Sequence, residues 1–336
     1  MSAPNTEGDT GYEEYDDENY ESFDYSDPGL GLEPEFDAHF TNLSYVVGET
    51  AILPCRVKNR GNYQVSWSSP DQVFLTVEDR RTVDDSRFDI LRSVEEEWNL
   101  QLRTVLWEDR GTYKCIVNYH QPKSKLVNLS VRVPATIIDE LSSGDATVEE
   151  GATVILNCNV TGVPYPTVSW YRRRFDSKSE DERERIVNST GEALIIPNVT
   201  RYCDDIYECV ADNGVSAVSR QMRVTVEFEP EITLPASRFG QIAGKTTMLE
   251  CRITARPQGE TVWRKNGKIV NQKTDKRYQL HAYEYEQAPH TISVFLTIKN
   301  VKKSDSGVYE CFSTNPLGND SEKMVFTGKF YALLLL

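Results

Sequence analysis

Residues 109–115 read Asp109-Arg110-Gly111-Thr112-Tyr113-Lys114-Cys115, and further on the chain reads Asp305-Ser306-Gly307-Val308-Tyr309-Glu310-Cys311. Both runs share the spacing D-x-G-x-Y-x-C. Outward from them, Trp67 and Trp263 each stand 48 residues before the cysteine, and Cys55 and Cys251 each stand 12 residues before the tryptophan. A third copy lies between, with Cys158, Trp170 and Cys209 at separations of 12 and 39 residues. Self-similarity at a fixed period marks a repeated structural unit, so the chain divides into three such units.

A Cys, Trp, Cys order at these distances is that of immunoglobulin-type sandwiches, in which strands B and F face each other across two sheets about 10 Å apart. A disulfide joins the two strands and the indole of strand C packs against it, which predicts the pairs Cys55-Cys115, Cys158-Cys209 and Cys251-Cys311. Tyr113 and Tyr309, two residues before the second cysteine, suit a tyrosine corner, whose hydroxyl bonds back to the backbone. Alternation of Trp98, Leu100 and Leu102, and of Val294, Leu296 and Ile298, is that of half-buried strands. The expected fold is all-β, three tandem immunoglobulin-like β-sandwiches. The first is variable-like, because its long Trp-to-Cys span leaves room for strands C′ and C″. The second lacks that room; the third has the length, but Lys273 to Pro289 reads as an extended loop. The second and third are therefore I/C2-like.

Expected boundaries are an acidic, tyrosine-rich disordered arm over residues 1–37, domains over 38–134, 135–227 and 228–331, and a short apolar tail over 332–336. The joins Val133-Pro134-Ala135 and Phe228-Glu229-Pro230 are short and proline-stiffened, which predicts a semi-rigid rod.

The formal net charge of -15 is concentrated at one end, because residues 1–40 hold 13 Asp and Glu and no Lys or Arg. The remainder carries 37 basic and 52 − 13 = 39 acidic residues. A near-neutral body with an acidic arm lacks the basic footprint of a nucleic-acid binder. No window reaches the roughly 18 apolar residues of a membrane span. The apolar end, Phe330 to Leu336, is shorter than the tail of a lipid-anchor signal, and no secretory h-region stands near Met1. Sequons at Asn42, Asn128, Asn159, Asn188, Asn198 and Asn319, together with paired cysteines, point to N-glycosylation on an oxidising secretory route. His39, His120, His281 and His290 are scattered without metal-ligand spacing, and no nucleophile or phosphate-loop motif appears. The chain is therefore expected to be no enzyme, without cofactor or metal.

Strand parity gives the binding expectation. With Trp67 and Cys115 inward, Gln64, Ser66, Ser68, Lys114, Ile116 and Asn118 point outward. The segment Val73-Phe74-Leu75-Thr76-Val77 is nearly apolar on both parities, so its outer side is expected to be covered by a partner, by C″ or by a neighbouring domain. The candidate partner-binding set is Gln64, Phe74, Leu75, Val77, Ile116 and Asn118. Asn128 alternates outward on strand G, where a glycan would stand on the same sheet. Arg87 and Asp109 are expected to form a structural pair. Cys203 is an odd, unpaired cysteine where the second domain's motif would hold its aspartate, with Asp205 in place of the glycine. It is open to pairing between chains or to partial burial. The arm, with Tyr12, Tyr15, Tyr20 and Tyr25 among acids, has too little apolar content to fold and resembles a substrate for tyrosine sulfation or a solvated tail.

Several of these stretches resemble the three-domain neuronal cell-adhesion group of lachesin, the IgLON proteins and the Dpr-interacting proteins, over about residues 40–327. They include Trp98-Asn99-Leu100-Gln101-Leu102, Glu108 through Cys115, Val133-Pro134, Gly162-Val163-Pro164, Asn213-Gly214-Val215 and Asn315-Pro316-Leu317-Gly318. The resemblance implies an invertebrate-like member, lipid-anchored at the cell surface or secreted, that binds immunoglobulin-superfamily proteins homophilically or as a two-domain partner. It further implies the sheet of strands C, C′, C″, F and G of domain 1 as the contact, with Gln72 to Val77 aligned to C′. A different reading is a soluble factor whose acidic arm captures a basic ligand, which deletion of residues 1–37 would discriminate.

Overall fold

The computed structural model describes residues 32–174, 183–286 and 288–329. Most of the acidic arm and the apolar tail lie outside the described residues.

In domain 1 the sheet containing strand C orders G, F, C, C′ and C″, with A′ (Phe40–Val46) joined to G. C is Val65–Ser68, C′ is Phe74–Val77, C″ is Arg80–Arg81, F is Gly111–Val117, and G is the first part of Lys123–Ile137. The opposing sheet pairs B (Ala51–Leu53) with E (Asn99–Leu102) and D (Phe88–Leu91). Between them Trp67, Trp98, Leu100, Leu102, Val127 and Leu129 are buried around Cys55–Cys115, whose sulfurs are 2.06 Å apart. The Trp67 indole N–H donates to the Trp98 carbonyl oxygen at 2.7 Å, so the buried ring's polar handle is satisfied. The C′ and C″ strands make the domain variable-like as expected.

The expected end of the arm is corrected. Glu35–Phe36 pairs with Val57–Lys58, and Phe36 is buried in the domain 1 core. Asp37 accepts from the buried Lys125 ammonium at 2.7 Å. These residues, counted with the arm because of their acidity, belong to the sandwich.

Domain 2 builds its core from Leu156, Trp170, Leu194, Tyr207, Met222 and Val224 around Cys158–Cys209. Its shorter span holds a C′ strand, Arg183–Thr190, paired with C (Thr167–Arg173), and among the described residues no C″ strand follows it in the sheet, in keeping with the expected I/C2-like domain. In domain 3, Leu249, Trp263, Leu296, Tyr309 and Phe326 pack around Cys251–Cys311. The segment read as an extended loop contains strand D, Tyr278–Glu284, in full antiparallel register with E, Thr291–Ile298. Its charged and aromatic residues suit a strand exposed on one face, with Tyr278 buried and Tyr283 out. Domains 2 and 3 share one strand, Ala217–Thr233, which pairs with F of domain 2 (Asp205–Asp212) through residues 217–224 and with B of domain 3 (Thr247–Arg256) through 228–233.

Candidate recognition face on domain 1

Register places the candidates on the G, F, C and C′ strands in rows. One row runs Ser124, Ile116, Ser66, Val77; the next runs Leu126, Lys114, Ser68, Phe74. Between these rows C′ has one residue more than C, because the pairing shifts between Trp67 and Ser68. A bulge of this kind reverses parity along the bulged strand. Leu75 and Thr76 therefore both turn inward, while Phe74 and Val77 both turn out.

Leu75 is 4% exposed and sits in the domain 1 core, so its place in the predicted contact set is corrected. Ser68 is likewise buried. Phe74 is 52% exposed and its neighbour Val73 is 51% exposed. Phe74 is the first residue of C′, so two adjacent apolar side chains stand half in water at the C′ edge of the G, F, C and C′ face. Val77 and Ile116 are half-buried beside it.

Gln64 and Asn118, both exposed, lie at one end of the rows and tie strands C and F together. Gln64 N–H donates to Asn118 Oδ1 at 2.6 Å, and Asn118 N–H donates to the Gln64 carbonyl at 3.1 Å. Next to them Tyr63, Tyr119 and His120 pack edge to face, with Tyr63 and Tyr119 centroids 4.9 Å apart and Lys123 over the Tyr119 ring. The sequence reading did not bring Tyr63 and Tyr119 together with His120, whereas Val73 already stood in the apolar C′ run; the signal for the cluster was two tyrosines flanking the C and F strands at matching ends.

Asn128 pairs with Thr112, two rows beyond Ile116. Four residues along a strand is about 13 Å, so a glycan there stands at the far corner from Ile116 and Val77. Its Nδ2 donates to Asn42 Oδ1 at 3.1 Å, so two sequons share that corner.

At the same end of the domain as Asn128, away from Gln64 and Asn118, the expected structural pair forms. Arg87 reaches Asp109 at 2.6 Å and Asp85 at 2.9 Å. These two carboxylates hold the guanidinium above its ordinary pKa, while the bonds from Arg87 keep Asp85 below the usual carboxylate range against the effect of burial. Among the described residues no group of His, Cys, Asp and Glu is gathered for a metal, and no helix is long and apolar enough to cross a membrane. Cys203 is half-buried and forms no disulfide.

The immunoglobulin I-set domain family matches residues 138–226 and 230–327, and an immunoglobulin domain family matches residues 33–118. Lachesin of Drosophila melanogaster is 31% identical over 278 residues, covering 81% of this chain and 75% of that protein. Mouse limbic system-associated membrane protein is 30% identical over 298 residues, covering 88% of this chain and 81% of its own. A solved complex of Dpr2 Ig1-Ig2 with DIP-Theta Ig1-Ig3 contains a chain that matches at 30% identity and a TM-score of 0.74, over 88% of this chain and 99% of that one. A three-domain titin fragment matches at 21% identity and a TM-score of 0.58, a likeness of fold alone.

Proposed function

The chain belongs to the lachesin and IgLON family of extracellular immunoglobulin-domain adhesion proteins and is not an enzyme, and from that premise we propose that it recognises another immunoglobulin-superfamily protein through the C, C′, C″, F and G face of domain 1. The half-exposed Val73 and Phe74 at the start of C′, two adjacent apolar side chains in water, carry the proposal. Beside them stand Val77 and Ile116, and the polar Gln64 and Asn118 form the rim. Contacts of this composition concentrate binding energy in a few apolar anchors shielded by polar neighbours. The matched solved chain comes from a complex of two immunoglobulin-domain proteins, which favours a partner of the same class. The setting proposed is neuronal recognition at a cell surface, with lipid anchorage and glycans at the six sequons.

Weak pairs gain strength from many copies at a cell contact. Sedimentation of the full chain from low to high micromolar separates homophilic from heterophilic binding. Val77→Asp or Ile116→Asp places a charge among the anchors and is expected to weaken partner binding at least about thirtyfold, the loss of a hot spot of roughly 2 kcal/mol, with secretion unchanged. Normal binding by both variants removes this face from consideration.

A further inference from the structure

The edge of the domain 3 sheet that holds B and E is strand D, Tyr278–Glu284, seven residues whose partner among the described residues is E alone. Backbone bonds just beyond its two ends fix its parity. Lys299 N–H donates to the Arg277 carbonyl at 2.9 Å and Tyr285 N–H donates to the Thr291 carbonyl at 2.9 Å, so the odd-numbered residues face E. In an antiparallel ladder the residues between them turn N–H and C=O the other way. Leu280, Ala282 and Glu284 therefore offer an open row of donors and acceptors, while the Tyr278 N–H is taken up by the Asp275 carbonyl at 3.1 Å.

Sheet edges of this kind are usually blunted. In domain 1, D is four residues long, and Arg81 covers its Phe88 carbonyl at 3.3 Å. In domain 2, E (Ala193–Ile196) pairs with B (Val154–Asn157) alone among the described residues. Strand D of domain 3 is nearly twice the length of its domain 1 counterpart, with no proline, no lysine and no break in register. From His281 to Glu284 its side chains are exposed on both faces, and none of the six sequons lies on D or E.

Charge decides what fits this edge. The chain enters D past Lys273 and Lys276, both exposed and in no ion pair among the described residues, whereas Arg277 is matched by Asp275 at 2.7 Å and Asp305 at 2.6 Å. It leaves D at Glu284 and Glu286, exposed and likewise without an ion pair. A strand basic at its start and acidic at its end complements a copy of itself running antiparallel and repels one running parallel. Identical patches related by a two-fold axis, where one residue meets a second and the second meets the first, use the antiparallel order here.

We propose that strand D of domain 3 is a docking edge for strand D of a second copy of this chain, joining two domain 3 sheets across a two-fold axis. In the register that pairs all seven residues, His281 faces His281 of the second copy, Leu280 faces Ala282, and Tyr278 faces Glu284. The Leu280 and Ala282 pairs exchange the open backbone bonds, and Lys276 of each chain comes next to Glu284 and Glu286 of the other. The edge is on a different domain from the proposed recognition face, so either can fail alone.

The test is disulfide trapping in the full secreted chain carrying Cys203→Ser and Ile116→Asp, which remove the odd thiol and the domain 1 contact. Facing residues whose backbones turn away from each other have Cα atoms about 4.5 Å apart, within reach of a disulfide. His281→Cys is therefore expected to give a covalent dimer under mild oxidation. It should form at least about tenfold more than with Tyr283→Cys, whose exposed thiol lies about four residues, or roughly 13 Å, from its copy. Ala282→Pro removes an outward donor while leaving the ladder to E intact, and is expected to lower trapping of His281→Cys about tenfold. Lys276→Glu should lower it about threefold, and adding Glu286→Lys should restore it to within about twofold. If proline disturbs D itself, the charge reversal gives the same reading without touching the ladder. A monomer throughout, equal trapping of Tyr283→Cys, or trapping undiminished by both Ala282→Pro and Lys276→Glu would each overturn the proposal.

Discussion

In domain 3, Tyr309 donates its hydroxyl to the Asp305 carbonyl oxygen at 2.9 Å, while the Asp305 carboxylate is clasped by Arg277 at 2.6 Å and by the Tyr278 hydroxyl at 3.1 Å. In domain 2, Tyr207 makes the same corner bond to the Cys203 carbonyl at 3.2 Å, but a thiol stands where the carboxylate would be. The corner bond requires only a backbone acceptor, so it survives the substitution. Burial still raises the Tyr207 hydroxyl pKa to about 12. The clasp requires the side chain, and domain 2 has redirected its acids instead: Asp205 to Arg172 on strand C, and Asp204 to Arg223 and across the joint to Arg256. One position thus separates a domain whose corner aspartate is clasped from within from one whose acids pair internally and, through Asp204, with the neighbouring domain as well.

The sharpest break in this comparison is Asp305→Ala. The Asp305 side chain is 1% exposed and Arg277 is 21% exposed, so the variant removes the buried partner of the guanidinium, leaving it only the more exposed Asp275 at 2.7 Å, and takes an acceptor from Tyr278 and the Lys302 backbone. Removing one partner of a buried pair costs about 3–5 kcal/mol. Calorimetry of the full chain should show the transition involving domain 3 falling by more than about 10 °C. Asp109→Ala in domain 1, where the aspartate is 9% exposed, should cost less. Equal and small shifts in both would mean that the clasp contributes little and that the corner tyrosine alone matters.

The legible part of the fold was the part written locally. Cysteine, tryptophan and corner tyrosine sit at fixed offsets within one domain, and each offset has one geometric meaning. Leu75 was misplaced because a single extra residue on C′ reverses parity, and nothing in Val73 to Val77 announces it. Strand D of domain 3 was hidden because a solvated face made of His281, Tyr283 and Glu284 has the composition of a loop. Of the proposed face, the outward turn of Gln64, Ile116 and Asn118 was readable from alternation once Trp67 fixed the inward side, while Phe74 and Val77 were named only because their segment is apolar on both parities. The Asp204–Arg256 pair was not, since its members stand 52 residues apart and charged side chains carry no periodicity that pairs them.

Acid offers a second, gentler way to separate the clasp from plain packing. Burial alone would raise Asp305, but the bonds from Arg277, the Lys302 backbone and Tyr278 bring it below the usual aspartate value. A carboxylate depressed in the folded state contributes its full stability above the unfolded value, and loses it as pH falls through the folded value. The stability difference between the parent and Asp305→Ala should therefore be constant from pH 7 to about 5 and shrink only below about pH 4. A difference that shrinks already between pH 7 and 6 would place the effect on another group.

The smallest expected effect is at the position that defines the contrast. Cys203 is half-buried, packs at the edge of the domain 2 core, and has its sulfur 3.6 Å from Thr200 Oγ1. Serine keeps the size class and puts a hydroxyl where the thiol meets Thr200, and the backbone carbonyl that Tyr207 uses is untouched. Cys203→Ser should change stability by less than about 1 kcal/mol, the range of substitutions that open no large cavity and strand no charge. Non-reducing electrophoresis of the secreted chain reads the other side of the same residue. If a covalent dimer of the parent disappears in Cys203→Ser, the thiol joins chains, and the missing aspartate has been exchanged for a link between molecules. If parent and variant both run as monomers with the same melting behaviour, the thiol is a tolerated replacement, and the redirected Asp204 and Asp205 account for what is distinctive in domain 2.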